Sequence, residues 1–187
     1  MAEEAYEVEL KFRVESHAEV EQALQSRGAA LIGESSQCDQ YYRHPARDFA
    51  KTDEALRIRS TESNAYLTYK GPKLDQKTKT RREIELPIGL TAQADFDQLL
   101  VKLGFTPVAA VRKRRREYSL DYAGRAFKVA LDDVAEIGLF VEIETISDQA
   151  SLTESRDGVL MLAGQLGLTE PTRLSYLRYL LAARGIE

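Results

Sequence analysis

The sequence predicts an α+β protein in which roughly eight antiparallel strands form a closed β-barrel, or tunnel, with a charged interior and helices packed on its outside. Three observations lead there. In YEVELKFRV, Glu7, Glu9 and Lys11 alternate with Val8, Leu10 and Phe12, so a strand puts the charges on one face and the hydrophobes on the other. Like-charged pairs recur at the same spacing in later segments, at Arg57/Arg59, Glu83/Glu85, Lys113/Arg115 and Glu142/Glu144. Segments of helical period interrupt the strands and offer cover for their apolar faces.

A solvated sheet face normally mixes the two signs, because like charges side by side repel. Here the signs are segregated strand by strand. Acidic strands whose charges converge can hold divalent cations through hard oxygen ligands, and basic strands can hold phosphate oxygens. Enclosed without such a ligand, each charge costs several kcal/mol, so the interior is expected to be wet, liganded or both.

The elements follow in order. After the first strand, SHAEVEQALQSRG carries a helix start at Ser16 and a stop at Gly28. AALIGESSQCDQYYRHP reads as a long strand ended by Pro45, and ARDFAKTDE as an irregular or helical turn. ALRIRST, NAYLTYKGPK with its Gly71-Pro72 break, and KTRREIELPI form a meander. TAQADFDQLLVKLG is a helix with an apolar stripe and a stop at Gly104. VAAVRKRRREYSLDY, RAFKVALDDVAEIG and LFVEIETIS are strands, with turns at Ala123-Gly124 and Gly138. LTESRDGVLMLAGQLGL and RLSYLRYLLAARG are helices separated by a break at Pro171. Residues 1–187 thus form one domain, with C-terminal helices at about 150–184 packing on the barrel. The apolar faces, including Leu56, Ile58, Ile84, Leu86, Val141 and Ile143, are expected to point outward beneath the helices.

Composition narrows the classes. The 187 residues are 43% apolar and 30% charged, which is not the balance of a disordered chain. A net charge of −4 argues against nucleic acid as a partner. No apolar run approaches the roughly 20 residues of a membrane span, and MAEEAYEVE lacks signal-peptide character, so a cytoplasmic protein is expected. The single cysteine, Cys38, excludes an intramolecular disulfide and a cysteine-based zinc site. The two histidines, His17 and His44, suggest no nucleophile set, and no G-x-x-x-x-G-K-[ST] loop occurs. Phosphate recognition would therefore rest on side-chain cations.

Each charged pair taken alone also fits a solvated face. Together, Glu7/Glu9, Glu83/Glu85 and Glu142/Glu144 supply the several carboxylates from different strands that Mg²⁺ or Mn²⁺ requires. Asp132 joins them because it lies opposite Val129 and Leu131 in the alternation, unlike Asp133, although either aspartate also suits a turn. Arg57 and Arg59 suit bidentate phosphate contacts; Lys70 follows Tyr66 and Thr68 at the two-residue step of its strand, and Arg81 precedes Glu83 and Glu85 by the same step. In RKRRRE the cations occupy both faces, so Arg112, Arg114 and Arg116 fit an outer basic patch as well as Lys113 and Arg115 fit a site.

EVELK, ALRIR, LTYKGP, KTRREIE, Lys113-x-Arg115 with Tyr118, LDDV, GLFVEIE and SYLRYLL, in this order, resemble the CYTH domain. This is the triphosphate tunnel metalloenzyme superfamily of class IV adenylyl cyclases, thiamine triphosphatases and inorganic triphosphatases. DQYYRHPARDFAKTDEALRIR with LTYKGPK and SYLRYLL looks most like the class IV adenylyl cyclase branch. The resemblance implies a tunnel of eight antiparallel strands, with Glu7, Glu9, Glu142 and Glu144 near the metals. It places Lys11, Arg57, Arg59, Lys70, Lys113 and Arg115 on the triphosphate, with Glu83, Glu85 and Asp132 as further acidic tunnel residues. The expected activity is Mg²⁺- or Mn²⁺-dependent cleavage of a P–O bond in ATP, tripolyphosphate or thiamine triphosphate, by a cyclase or a triphosphatase. A polyphosphate- or nucleotide-binding module is the non-catalytic alternative. The C-terminal helix, with Leu174, Leu177, Leu180 and Leu181, suits packing on its own barrel or on a second copy, so monomer and homodimer both remain open.

Overall fold

Strand β1 (Tyr6–Val14) follows the alternation of its sequence: Val8, Leu10 and Phe12 are at most 3% exposed on one face, while Glu9 and Lys11 are buried on the other. The computed structural model describes residues 6–72 and 80–186. Lys79, expected to begin the KTRREIELPI strand, lies outside them.

The remaining strands are β2 (Ala30–Arg43), β3 (Ala55–Ser60), β4 (Ala65–Lys70), β5 (Arg81–Pro87), β6 (Thr106–Tyr122), β7 (Arg125–Val134), β8 (Gly138–Ser147) and β9 (Pro171–Thr172). The helices are α1 (Ala18–Ser26), α2 (Phe49–Thr52), α3 (Gln93–Lys102), α4 (Leu152–Gln165) and α5 (Tyr176–Ala183). All strand pairings are antiparallel, in the order β5-β4-β3-β2-β6-β7-β8-β1. Pairing of Tyr6 and Glu7 on β1 with Arg82 and Arg81 on β5 closes these strands in a ring. Further along, Lys11 and Phe12 of β1 pair with the short β9, so Pro171 does more than break a helix. No helix of the described residues is long and apolar enough to cross a membrane.

The outer face carries two of the three apolar clusters. Val8, Leu10, Phe12, Val129, Leu131, Val141 and Ile143 pack under α1 and α4 through Val20, Leu24, Val159 and Leu162. Tyr42, Leu56 and Ile58 pack under α2 and α3 through Phe49 and Leu100. Ile84 and Leu86, expected beneath a helix, are instead 40% and 54% exposed. The reason is that α3 turns its buried Leu100 toward Tyr42, Leu56 and Ile58 of β2 and β3.

The expectation that every helix packs on the outside also needs correction. Tyr176 and Leu180 of α5 pack against Tyr41, Ala109, Val111, Val134 and Phe140. These residues share the alternation of Asp39, Lys113, Asp132 and Glu142, so α5 lies on the same face of the sheet as the charges. At this end of the ring the charged face turns apolar, and α5 removes that apolar area from water.

Candidate functional site

The cross-strand register brings the alternating charges together. Glu9 faces Glu144, Lys11 faces Glu142, Arg115 faces Asp132, and Lys70 faces Glu83. Glu7, Glu9, Lys11, Arg57, Arg59, Lys70, Arg81, Glu83, Glu85, Lys113, Arg115, Glu142 and Glu144 all line one cavity of about 1100 Å³. Glu85 is exposed and accepts from the Thr68 hydroxyl at 2.9 Å. Asp132 lies behind this lining, fully buried.

The two basic strands are each held by a buried aspartate on the neighbouring strand. Asp132 accepts from Arg115 Nε at 2.7 Å and Nη2 at 2.6 Å, from Lys113 Nζ at 3.3 Å, and from the Tyr176 hydroxyl at 2.7 Å. Burial alone would raise its pKa, but Arg115 and Lys113 overcome that and hold it low. Asp39, also fully buried, accepts from Arg59 Nε at 2.7 Å and Nη2 at 2.8 Å, and from Arg57 Nη1 at 3.1 Å. Arg57 and Arg59 outweigh its burial, so it too stays ionised. Outside the cavity, Asp133 pairs at 3.0 Å with the exposed Arg114, and Arg116 pairs with Glu21 of α1. Packing thus separates the RKRRRE cations that alternation could not.

The other charges form a network across the ring. Lys11 lies 2.9 Å from Glu142 and 4.0 Å from Glu9, and Arg115 also pairs with Glu142. Lys70 pairs with Glu7 at 2.8 Å and Glu83 at 2.5 Å. Burial, and then its neighbour Arg115, depress the Lys113 ammonium to a pKa of about 8.

Three kinds of site residue escaped sequence reasoning. Asp39 has no like charge two residues away in its strand, although CDQYY places it on the face of Tyr41 and opposite Tyr42. Tyr176 lay within SYLRYLL with no charge to mark it. Glu117 and Lys128 also line the cavity, 3.6 Å apart, each of opposite sign to the charges that share its face, Lys113 and Arg115 on β6 and Asp132 on β7.

Carboxylates dominate one side of the cavity. Burial, followed by Glu7, with Glu9 and Glu142 adding and Arg115 opposing, pushes the carboxyl of Glu144 up to about 7. Among the described residues no three acidic, histidine or cysteine side chains form a ready-made metal cluster. Glu7, Glu83 and Glu142 are instead paired with the cavity's own cations. The donor set is nevertheless one of hard oxygens, and a divalent cation would neutralise the charge repulsion that raises Glu144.

This carries a pH prediction. Glu144 holds a proton in the folded state that the unfolded chain has released, so stability falls as pH rises between the two pKa values. The metal-free protein should be more stable near pH 5 than near pH 8, by up to about 3 kcal/mol. Glu144→Gln should flatten the difference. The groups held low, Asp39, Asp132 and Glu83, lose their contribution only in more acid solution. Urea midpoints across this range measure the effect, and a wild-type midpoint that climbs with pH would contradict it.

Comparison with known proteins adds four findings. A family model described as the CYTH domain matches residues 5–175. MJ0240 of Methanocaldococcus jannaschii, provisionally named an adenylate cyclase, is 41% identical over 143 residues, covering 76% of this chain and 78% of that protein. The solved structure of PH1819 from Pyrococcus horikoshii OT3 matches with a TM-score of 0.84 at 37% identity, over 94% of this chain and 98% of that one. HpAC1 of Hippeastrum, a provisional adenylyl cyclase with a dominant triphosphatase activity, matches with a TM-score of 0.66 over 98% and 97% of the two chains. Its 14% identity speaks for the fold alone.

Proposed function

The chain belongs to the CYTH domain family, and from that membership we propose a divalent-metal-dependent enzyme that breaks a P–O bond of a triphosphate compound held in a charged tunnel. The observation that carries this reading is that Lys11, Arg57, Arg59, Lys70, Lys113 and Arg115 share one cavity with Glu7, Glu9, Glu142 and Glu144. Cations alone would suit anion binding. The added carboxylates suit a substrate that arrives as a metal–polyphosphate complex.

In the leading version ATP is cyclised to cAMP and pyrophosphate. The ribose 3′ oxygen forms a bond to the α-phosphorus, the bond to the bridging α–β oxygen breaks, and the 3′ hydroxyl proton passes to solvent. Arg57, Arg59, Lys113 and Arg115 grip the phosphate oxygens through planar or point-charge contacts. They and Lys11 neutralise charge gathering on the departing pyrophosphate. Asp39 and Asp132 keep the two basic pairs aimed before the substrate arrives. As phosphate takes over Lys11, Arg115 and Lys70, the carboxylates of Glu142 and Glu7 are released from their present partners.

Mg²⁺ or Mn²⁺ fits these residues: Glu7, Glu9, Glu142 and Glu144 would hold it, with Glu83 and Glu85 as neighbouring donors. When bound, the ion supplies Lewis-acid activation and charge neutralisation. The cyclase version draws on the likeness to MJ0240. A triphosphatase is the second reading, because each of the phosphate-gripping side chains would serve equally when water attacks the terminal phosphorus of tripolyphosphate, thiamine triphosphate or a nucleotide.

Phosphorus NMR of the protein with Mg²⁺ or Mn²⁺, offered ATP and tripolyphosphate separately, tests this directly. A cyclic phosphodiester with pyrophosphate marks the cyclase, and orthophosphate marks the triphosphatase. Tight binding of both compounds with no turnover would replace the enzyme by a binding module.

A further inference from the structure

Helix α5 begins at a fixed place. Ser175 is extended, and its hydroxyl accepts from the Arg178 amide at 3.2 Å, capping the first turn. The next residue, Tyr176, is 4% exposed and lines the cavity. Its hydroxyl donates to Asp132 Oδ2 at 2.7 Å, the oxygen that also receives Lys113 and Arg115. Its ring centroid lies 3.5 Å from Lys11 Nζ and 5.0 Å from Lys113 Nζ. Phe140 holds the ring edge-on at 5.0 Å.

One side chain therefore touches both parts of the cationic group. The ring face attracts the Lys11 ammonium, which is already drawn to Glu142 at 2.9 Å. The hydroxyl is a third donor to Asp132 Oδ2, beside Lys113 Nζ and Arg115 Nη2. Phenylalanine would keep the first contact and lose the second; leucine would lose both. Filling the apolar end of the cavity would require only bulk, not a hydroxyl aimed at a buried carboxylate.

We infer that Tyr176 is a positioning residue, holding Lys11 through its ring and the Asp132–Lys113–Arg115 group through its hydroxyl in the arrangement that grips phosphate. The inference rests on the triphosphate reading above for its purpose, though not for its geometry. It also makes α5 part of the site, beyond the aromatic and aliphatic packing it contributes through Tyr176, Tyr179 and Leu180.

The test compares wild type, Tyr176→Phe and Tyr176→Leu by three readouts: calorimetric binding of tripolyphosphate, urea midpoint, and the proton shift of the Lys11 ε-methylene, assigned with Lys11→Arg. The ring should move that resonance upfield in wild type and in Tyr176→Phe, and the shift should vanish in Tyr176→Leu. Tripolyphosphate should bind roughly tenfold more weakly to the phenylalanine variant, and more weakly still to the leucine variant. Equal affinity in all three, with only the urea midpoint reduced, would make Tyr176 a packing residue and overturn the inference. An unshifted Lys11 resonance in wild type would overturn its first half. A wild type that binds no tripolyphosphate would instead sink the triphosphate reading, while the Lys11 shift would still decide whether the ring positions this ammonium. Should the leucine variant fail to fold, the phenylalanine variant decides through affinity, since it loses only the hydroxyl.

Discussion

Asp132→Ala should cost about 3–5 kcal/mol of folding stability, a large share of what a domain of this size has. The carboxylate is fully buried and takes donors from Arg115, Lys113 and Tyr176. Removing it leaves an ammonium and a guanidinium, themselves buried, facing each other, with Glu142 remaining as the partner of Arg115. Deleting one member of a buried ion pair is costly because the other charge stays desolvated. Asp132→Asn keeps the shape and part of the hydrogen bonding and should cost less. Asp133→Ala, next in sequence but paired on the outside with the exposed Arg114, should stay within about 0.5 kcal/mol. Urea unfolding of the three variants makes the comparison. Equal losses at Asp132 and Asp133 would mean that the buried cluster does not form.

Lys11→Ala should lower turnover of the triphosphate substrate about a hundredfold to a thousandfold while the protein still folds. Lys11 is buried between Glu142, Glu9 and the Tyr176 ring, and in the proposed reaction its ammonium would stand where charge develops on the transferring phosphate. A preorganised cation in such a site needs no reorganisation as the reaction proceeds, whereas water entering the gap left by alanine must reorient. Folding should survive because Glu142 keeps Arg115 as its partner. Glu142→Ala should be at least as damaging to turnover, since it removes a carboxylate common to Lys11 and Arg115. Initial rates with Mg²⁺ or Mn²⁺, beside urea midpoints, separate catalysis from stability. Near-wild-type rates in both variants would remove this pair from the mechanism.

The ring was legible because its information is local. Alternation in YEVELKFRV, ALRIRS and FVEIETI states which side of each strand is charged, and antiparallel pairing carries that choice from one strand to the next. The paired spacing of Glu142 and Glu144, or of Arg57 and Arg59, therefore already implies the cavity. Where two signals overlapped in one strand, as in RKRRRE, the local pattern was mute. Asp39 shows the converse. Its place on the inner face was present in the alternation of CDQYY, but its importance comes from Arg59 across the β2–β3 pairing, which no single segment contains.

Period-2 patterning and turn residues act over a few residues, so β1 to β8, their two faces and the segregation of charge among them were readable in the sequence, whereas β9 was not. Only the tertiary structure decided which carboxylate answers which cation, that Asp132 rather than Asp133 is the buried partner, and that α5 lies on the charged side of the sheet. Those outcomes depend on distances between residues such as Lys11, Asp132 and Tyr176. Their separation in the chain is large, and only closure of the ring and desolvation of its contents bring them together.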